Sequence, residues 1–309
     1  MIGYHYTSQN NFEKIVQKDG IHLWLTDTRF LNDRFELLEC NRLFEKVAKK
    51  SFDDGKISEN VYNDIKSLKA SFERIIFDEI DLPQCVKTGE ELKISVDARN
   101  IHRDMFVCCF SNRKDSLPMW NYYLKNSANG YAIGIDFDKI QHNDCRIIGC
   151  EKQSFQYKFM SKPIVMLYSD DKKKEKLEEL IDRIVEKYVV DDHLNESGQS
   201  KVVQQLTDYS LFFKNNHFNY EKEIRLLVEL LDSSDRFDFV KYRFDHGLVI
   251  PYFEIVINKE ALSAISVSPQ IGLSSDSELI KSSIENYLKK QGYTSKININ
   301  CSEIPLRYY

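Results

Sequence analysis

Apolar and polar positions alternate over Asn219–Glu229, the pattern of a strand with one packed face. Tyr220, Ile224, Leu226 and Val228 share the apolar side, interrupted by Lys222, and Glu221, Glu223 and Arg225 share the other. Like carboxylates two positions apart repel, so Arg225 reads as the cation that neutralises them. A strand of this kind can serve a cleft, or it can be a plain charge ladder on an exposed sheet face. The same alternation predicts strands at Ile2–Tyr6 and Ile21–Leu25. The continuous apolar run Met105–Phe110 predicts a central strand buried on both faces. Further strands are expected at Tyr131–Phe137 and within 155–168, 237–244, 248–257, 265–268 and 296–299.

Helical spacing appears in seven places. Thr7 or Ser8 caps a helix that carries Phe12, Ile15 and Val16 inward and stops at Gly20. A helix from Asp33 to about Lys50 buries Phe35, Leu38, Leu43, Phe44 and Val47, and a second runs from about Ser58 to Ile80. A short aromatic helix follows Pro118, a strongly amphipathic one spans Asp170–Asp191, and others are expected at 201–213 and 277–291. The chain shows no repeat, low-complexity tract or Pro/Gly-rich linker. The pattern therefore predicts a single α+β domain over 1–309: a mixed sheet with helical insertions at about 33–80 and 170–215.

Composition narrows the classes. The chain has 309 residues, 42% hydrophobic and 29% charged, enough for a sizeable core and too apolar for disorder. A net charge of −5 gives no global basic footprint for nucleic acid. Seven cysteines, an odd count without CxxC spacing, argue against a disulfide framework or zinc knuckle and for a reducing cytoplasm. The N-terminus does not read as a signal peptide, and no apolar run reaches the roughly 18 residues that span a bilayer, so a soluble protein without membrane contact is expected. GxGxxG, GxxxxGK[ST], HExxH and GxSxG are absent, which disfavours Rossmann dehydrogenases, P-loop NTPases, zincins and α/β-hydrolases.

Several patches carry candidate chemistry. His5, Tyr6 and Thr7 end the first strand with side chains that can hold ligand hydroxyls. Asn32 and Asp33 stand at a helix start, where backbone N–H groups favour anions. Ser111 closes the central strand, and Trp120 and Tyr123, three apart on one helix, form a candidate stacking wall for a flat ring. Each also has a structural reading as a strand histidine, a cap or a core aromatic.

Six patches together resemble an uncharacterised bacterial family of cytosolic proteins: Tyr4-His-Tyr6, Asn32-Asp-Arg-Phe-Glu36, Cys109-Phe-Ser111, Met119-Trp-Asn-Tyr-Tyr123, Glu221-Lys-Glu-Ile-Arg225 and Ser302-Glu-Ile-Pro-Leu-Arg307. Arg34 stands where that pattern has proline. The His-Tyr-Thr start and the late Glu-x-Glu also resemble the ADP-ribosyltransferase fold of bacterial toxins. That resemblance implies a split β-sheet core with NAD bound as substrate. His5 and Thr7 would hold the nicotinamide ribose, Trp120 or Tyr123 would stack on nicotinamide, and Glu223 would be catalytic beside Glu221. Arg225 would hold the pyrophosphate or neutralise Glu221. The implied function is an NAD-consuming transferase or glycohydrolase that cleaves the nicotinamide glycosidic bond, with a protein or nucleic-acid acceptor and a role as toxin or anti-phage effector. The alternatives are a non-enzymatic nucleotide or nucleic-acid binding module, and a nuclease in which Asp33, Glu36 and Glu223 gather around a metal.

Overall fold

The computed structural model describes residues 1–31, 36–71, 73–75, 100–102, 104–124, 129–141, 145–150, 157–159, 163–230, 239–245, 247–269 and 276–305. In chain order the larger elements are β1 (Ile2–Ser8), α1 (Gln9–Ile15), β2 (Gly20–Asp27), α2 (Glu36–Asp53), α3 (Glu59–Ile65), β3 (Asp104–Ser111), α4 (Leu117–Leu124), β4 (Gly130–Asp136), α5 (Asp170–Tyr188), α6 (Glu196–Ser210), β5 (Glu223–Leu230), β6 (Leu248–Ile257), β7 (Leu262–Val267) and α7 (Ser277–Lys290). The chain is α+β, and its backbone contacts separate two compact units.

The first unit comprises residues 1–34, 105–168 and 214–309. Its sheet runs in the order Lys241–Asp245, β6, β2, β3, β1, β4, β7 and Asn298–Cys301, and β5 pairs with β3 and with the short strands Tyr157–Phe159 and Ile164–Val165. The sheet is mixed: β1 and β4 pair antiparallel along their whole length, whereas β7 and Asn298–Cys301 run parallel. One face carries the core, where Leu23 and Leu25 of β2, Phe106 and Phe110 of β3, Ile133 and Ile135 of β4 and Phe253 and Ile255 of β6 are almost fully buried. Helix α1 ends earlier than its apolar spacing suggests, because Val16 and Gln17 already pair with Ile21 and Gly20. Gly20 starts β2 rather than stopping a helix, and its φ of 145° is open to glycine alone at low cost.

Strand β3 is held briefly on each side. It pairs with β2 at Thr26↔Val107 and Asp27↔Phe106, and with β1 at Tyr4↔Ser111. Between these two contacts the His5 ring does what a ladder bond would do: its Nδ1 lies 3.0 Å from the Cys109 carbonyl oxygen.

The second unit comprises residues 35–104 and 169–213. Helices α2, α5 and α6 bury Leu43, Phe44 and Val47, then Leu177, Leu180, Ile181 and Ile184, then Val202 and Leu206. Leu38, expected inward, is exposed; two positions from the buried Cys40, it falls on the far side of α2. Phe35 lies outside the described residues. The expected helix to Ile80 stops at Ile65. Lys66 N and Leu68 N still bond back to Tyr62 O and Ile65 O, but further on Ala70 N is taken by Asn41 Oδ1 at 2.8 Å and Ser71 N by Thr207 Oγ1 at 2.9 Å, which holds that segment off the helix. Helix α6 starts earlier than expected, at Glu196, because Asn195 caps it by accepting from Gly198 N at 2.8 Å. No helix among the described residues is long and apolar enough to cross a membrane.

Candidate functional site

Strand β5 begins at Glu223, and Tyr220 and Glu221 belong to a 3-10 turn over Asn216–Glu221 rather than to the strand. Lys222, at φ 46° and ψ 49°, joins the two in the left-handed region, which breaks the simple alternation. All eight residues of β5 are buried, so it is not an exposed charge ladder. Ile224, Leu226, Val228 and Leu230 enter the core as their spacing requires, while Tyr220 is exposed.

On the polar side of β5, Glu223 and Arg225 join Glu221 and Lys214 in a buried network of charges. Glu221, Glu223, Arg225 and Lys214 are 5%, 4%, 1% and 7% exposed. Lys214 Nζ donates to Glu221 Oε2 at 2.6 Å and also to Glu223 Oε2, and Arg225 Nε donates to Glu223 Oε1 at 2.8 Å. Two buried carboxylates thus meet two cations, the condition under which buried charge is tolerated. Burial alone pushes the Glu223 carboxyl up, but Arg225 and Lys214 outweigh it and hold it down to about 2. At Glu221 burial wins over Lys214, and its pKa is raised. Lys214 loses to burial but gains more from Glu223 and Glu221, so it is held protonated above its ordinary range. Sequence reasoning found Arg225 and missed Lys214, which lies outside the strand and its period. The signal available was charge balance: two carboxylates on a buried face need a second cation.

One hollow adjoins this cluster and a second shares two residues with the first. A cavity of about 10 Å³, room for about one water, is lined by Tyr4, Tyr6, Cys109, Tyr123, Glu221 and Glu223. A larger cleft of about 240 Å³ is bounded by α1, β1, β2 and β3 and is lined among others by His5, Thr7, Trp24, Cys109, Tyr123 and Arg243. Cys109 and Tyr123 line both hollows. Burial, and then the Glu223 carboxylate, push the Cys109 thiol well above its ordinary range, so it is a protonated donor and a poor nucleophile. Burial and the neighbouring Cys109 likewise raise Tyr123.

The sequence candidates therefore divide. His5, Thr7 and Tyr123 reach the larger cleft; Tyr6, Glu221 and Glu223 reach the small cavity with Tyr123; Ser111, Trp120 and Arg225 line neither. Arg225 is enclosed and bonded to Glu223, so it is not open to a pyrophosphate. Trp120 is fully buried edge-on against Tyr6 at 4.6 Å between ring centroids and presents no free face. Asn32 and Asp33 lie outside the described residues. The open indole of the cleft is Trp24, 43% exposed. Its signal was in the alternation of β2, where Ile21, Leu23 and Leu25 point to the core and His22 and Trp24 to the other side.

In the cleft His5 has a fixed tautomer. A carbonyl only accepts, so Nδ1 carries the proton and Nε2 is left as an acceptor. Burial lowers the His5 pKa, which keeps the ring neutral.

The remaining candidates build the wall behind the small cavity. Ser111 Oγ donates to the Glu221 carbonyl at 2.6 Å and Tyr6 Oη to the Arg113 carbonyl at 2.7 Å. Asp115 Oδ1 accepts from Trp120 Nε1 at 2.7 Å and from Ser302 Oγ at 2.8 Å. Five separate sequence patches thus meet around residues 109–123. Among the described residues no group of three or more His, Cys, Asp or Glu side chains is placed to hold a metal ion.

Residues 119–226 match the model of DUF2971, a family described as protein of unknown function. The match takes in Met119–Tyr123 and Glu221–Arg225, so the resemblance to an uncharacterised family rests on the stretch that carries α4 and the start of β5. No curated protein and no solved structure matches the chain.

Proposed function

We propose that the cleft bounded by α1, β1, β2 and β3 binds a nucleotide, with NAD as the ligand to test first. The observation that carries this reading is the His5 ring, locked as a neutral acceptor beside the Thr7 hydroxyl and across a cleft from the open face of Trp24. A ribose needs an acceptor and hydroxyl partners for its own hydroxyls, and a base or nicotinamide ring needs a flat aromatic surface. The cleft offers both in a concave, partly apolar setting of the kind that holds small ligands. Titration calorimetry with NAD, ADP-ribose and AMP tests it; a chain that binds none of the three is not a nucleotide-binding protein of this kind.

A second reading, NAD cleavage by an ADP-ribosyltransferase-like transferase or glycohydrolase, is favoured by Glu223. It is kept ionised behind Cys109 and Tyr123, the two residues common to cleft and cavity. Breaking the nicotinamide glycosidic bond builds positive charge on the ribose, and a nearby carboxylate stabilises it. The brief pairing of β3 with β1 and β2 is compatible with a split sheet. Mass spectrometry of purified protein with NAD reads this directly: nicotinamide release that is lost in Glu223→Gln supports cleavage, and binding without release leaves a binding module.

A further inference from the structure

The cleft has a charge character that the ribose and ring contacts do not use. Among the described residues its lining includes two cations, Lys14 of α1 and Arg243 of the edge strand Lys241–Asp245, and no carboxylate. Neither cation forms an ion pair among the described residues. Arg243 feels the Asp245 carboxylate along its own strand and sits over the Tyr252 ring at 5.7 Å. The other basic group there, His22, is different: Glu254 Oε1 lies 2.5 Å from Nδ1 and Asp19 Oδ1 lies 2.8 Å from Nε2, so its ring is committed. Glu254 also takes Lys241 at 3.0 Å, which removes that lysine from the count.

We infer that Arg243 and Lys14 form an anion subsite of this cleft, and that its ligand is a phosphorylated nucleoside rather than a nucleoside. This rests on the nucleotide reading and adds the two residues that would select its phosphate. The physical argument is the contrast within one strand system. Where charge serves the fold, as at Glu223 and His22, every charged group has its counter-charge at hydrogen-bond distance. Arg243 and Lys14 face a cleft without such partners, and a guanidinium matches the oxygens of a phosphate with paired donors. Arg225, expected to hold the pyrophosphate, is enclosed and already bonded, so the phosphate-binding role passes to a different strand.

The test compares adenosine, AMP and inorganic pyrophosphate on the whole chain by titration calorimetry, for wild type, Arg243→Gln and Lys14→Gln. Lys14 is exposed on α1, so Lys14→Gln keeps the question open to experiment if Arg243→Gln disturbs the edge strand. Expected is AMP binding at least about tenfold tighter than adenosine, with about ten- to hundredfold lost in Arg243→Gln, a smaller loss in Lys14→Gln, and adenosine affinity unmoved by either. Adenosine binding as tightly as AMP overturns the anion subsite and leaves the nucleotide reading in place. Pyrophosphate binding that depends on Arg243, without adenosine or AMP binding, keeps the subsite and removes the nucleotide reading. AMP affinity unchanged in both variants overturns the assignment of these residues.

Discussion

Arg225 donates from Nε to Glu223 Oε1 at 2.8 Å, with both side chains almost wholly buried on β5. The bond is half of a neutral arrangement whose other half is Lys214 between Glu223 and Glu221. Because the two carboxylates are already matched by two cations, removing Glu223 does not ease a repulsion. An amide there keeps one acceptor and turns an NH2 donor toward the other cation. Glu223→Gln should therefore lower stability by about 2 kcal/mol, and Arg225→Ala by about 3 kcal/mol, since the alanine leaves a buried carboxylate with one partner fewer. Urea denaturation midpoints read both. A Glu223→Gln protein more stable than wild type would mean that repulsion dominates the cluster.

The same cluster sets a pH response. The Glu223 carboxyl is held at about 2 in the folded chain against an ordinary 4.5. The unfolded chain binds that proton more tightly, so the stabilisation is complete above the ordinary value and fades as pH falls toward about 2. It is worth roughly 3 kcal/mol across that window. Glu221 acts with the opposite sign: its folded pKa is raised, so its term favours the folded state at low pH and declines as pH rises above 4.5. Lys214 is raised, and its contribution stays intact up to the ordinary lysine value of 10.5. Stability should climb between about pH 2 and about pH 4.5, and Glu223→Gln should flatten that climb. An unchanged acid limb in the variant would show that other carboxylates set it.

Asp115 ties the last strand region to α4. Its two carboxylate oxygens accept from Trp120 Nε1, Ser302 Oγ and Glu303 N. Asp115→Ala leaves a buried indole N–H without an acceptor, and the expected cost is about 2 kcal/mol. Hydrogen exchange separates this from a general loss: residues 302–304 should exchange faster in the variant while β4 is unaffected. Equal acceleration everywhere would mean that Asp115 supports the whole unit rather than docking the tail.

The fold was legible where an element buries one side by its own periodicity. Helix α5, strands β2 and β3 and the apolar face of β5 lie close to where the apolar spacing puts them. What the sequence hid was fixed by residues distant in the chain. The path of the chain after α3 is held by Asn41 and Thr207, and the charge balance of β5 depends on Lys214. The lining of the proposed cleft was half legible for the same reason. His5, Thr7 and Tyr123 were found because they stand beside strand and helix ends, which the pattern marks. Trp24 and Arg243 were missed because each is ordinary in its own strand and becomes notable only when the sheet brings β2 and Lys241–Asp245 to one cleft. Trp120 misled because an aromatic pair three apart does not say which ring faces the core.

His5 holds the Cys109 carbonyl through Nδ1, and in the proposed reading its Nε2 meets a ligand. Asparagine carries an amide N–H near the Nδ1 position but has no basic nitrogen beyond it. His5→Asn should keep the bond to the Cys109 carbonyl and stay within about 1 kcal/mol of wild-type stability, whereas His5→Ala leaves that carbonyl without its donor and should cost about 1–2 kcal/mol. Ligand affinity should not follow stability. Both variants should bind NAD or AMP about tenfold or more weakly, because both lack the Nε2 acceptor. The wild-type ring adds a pH signature: its folded pKa is lowered from 6.5, so its contribution to stability holds above that value and is lost as pH falls through the lowered folded pKa. His5→Asn should lack that component. Full nucleotide affinity in His5→Asn would reduce His5 to a clasp between β1 and β3 and move the ribose contact elsewhere in the cleft.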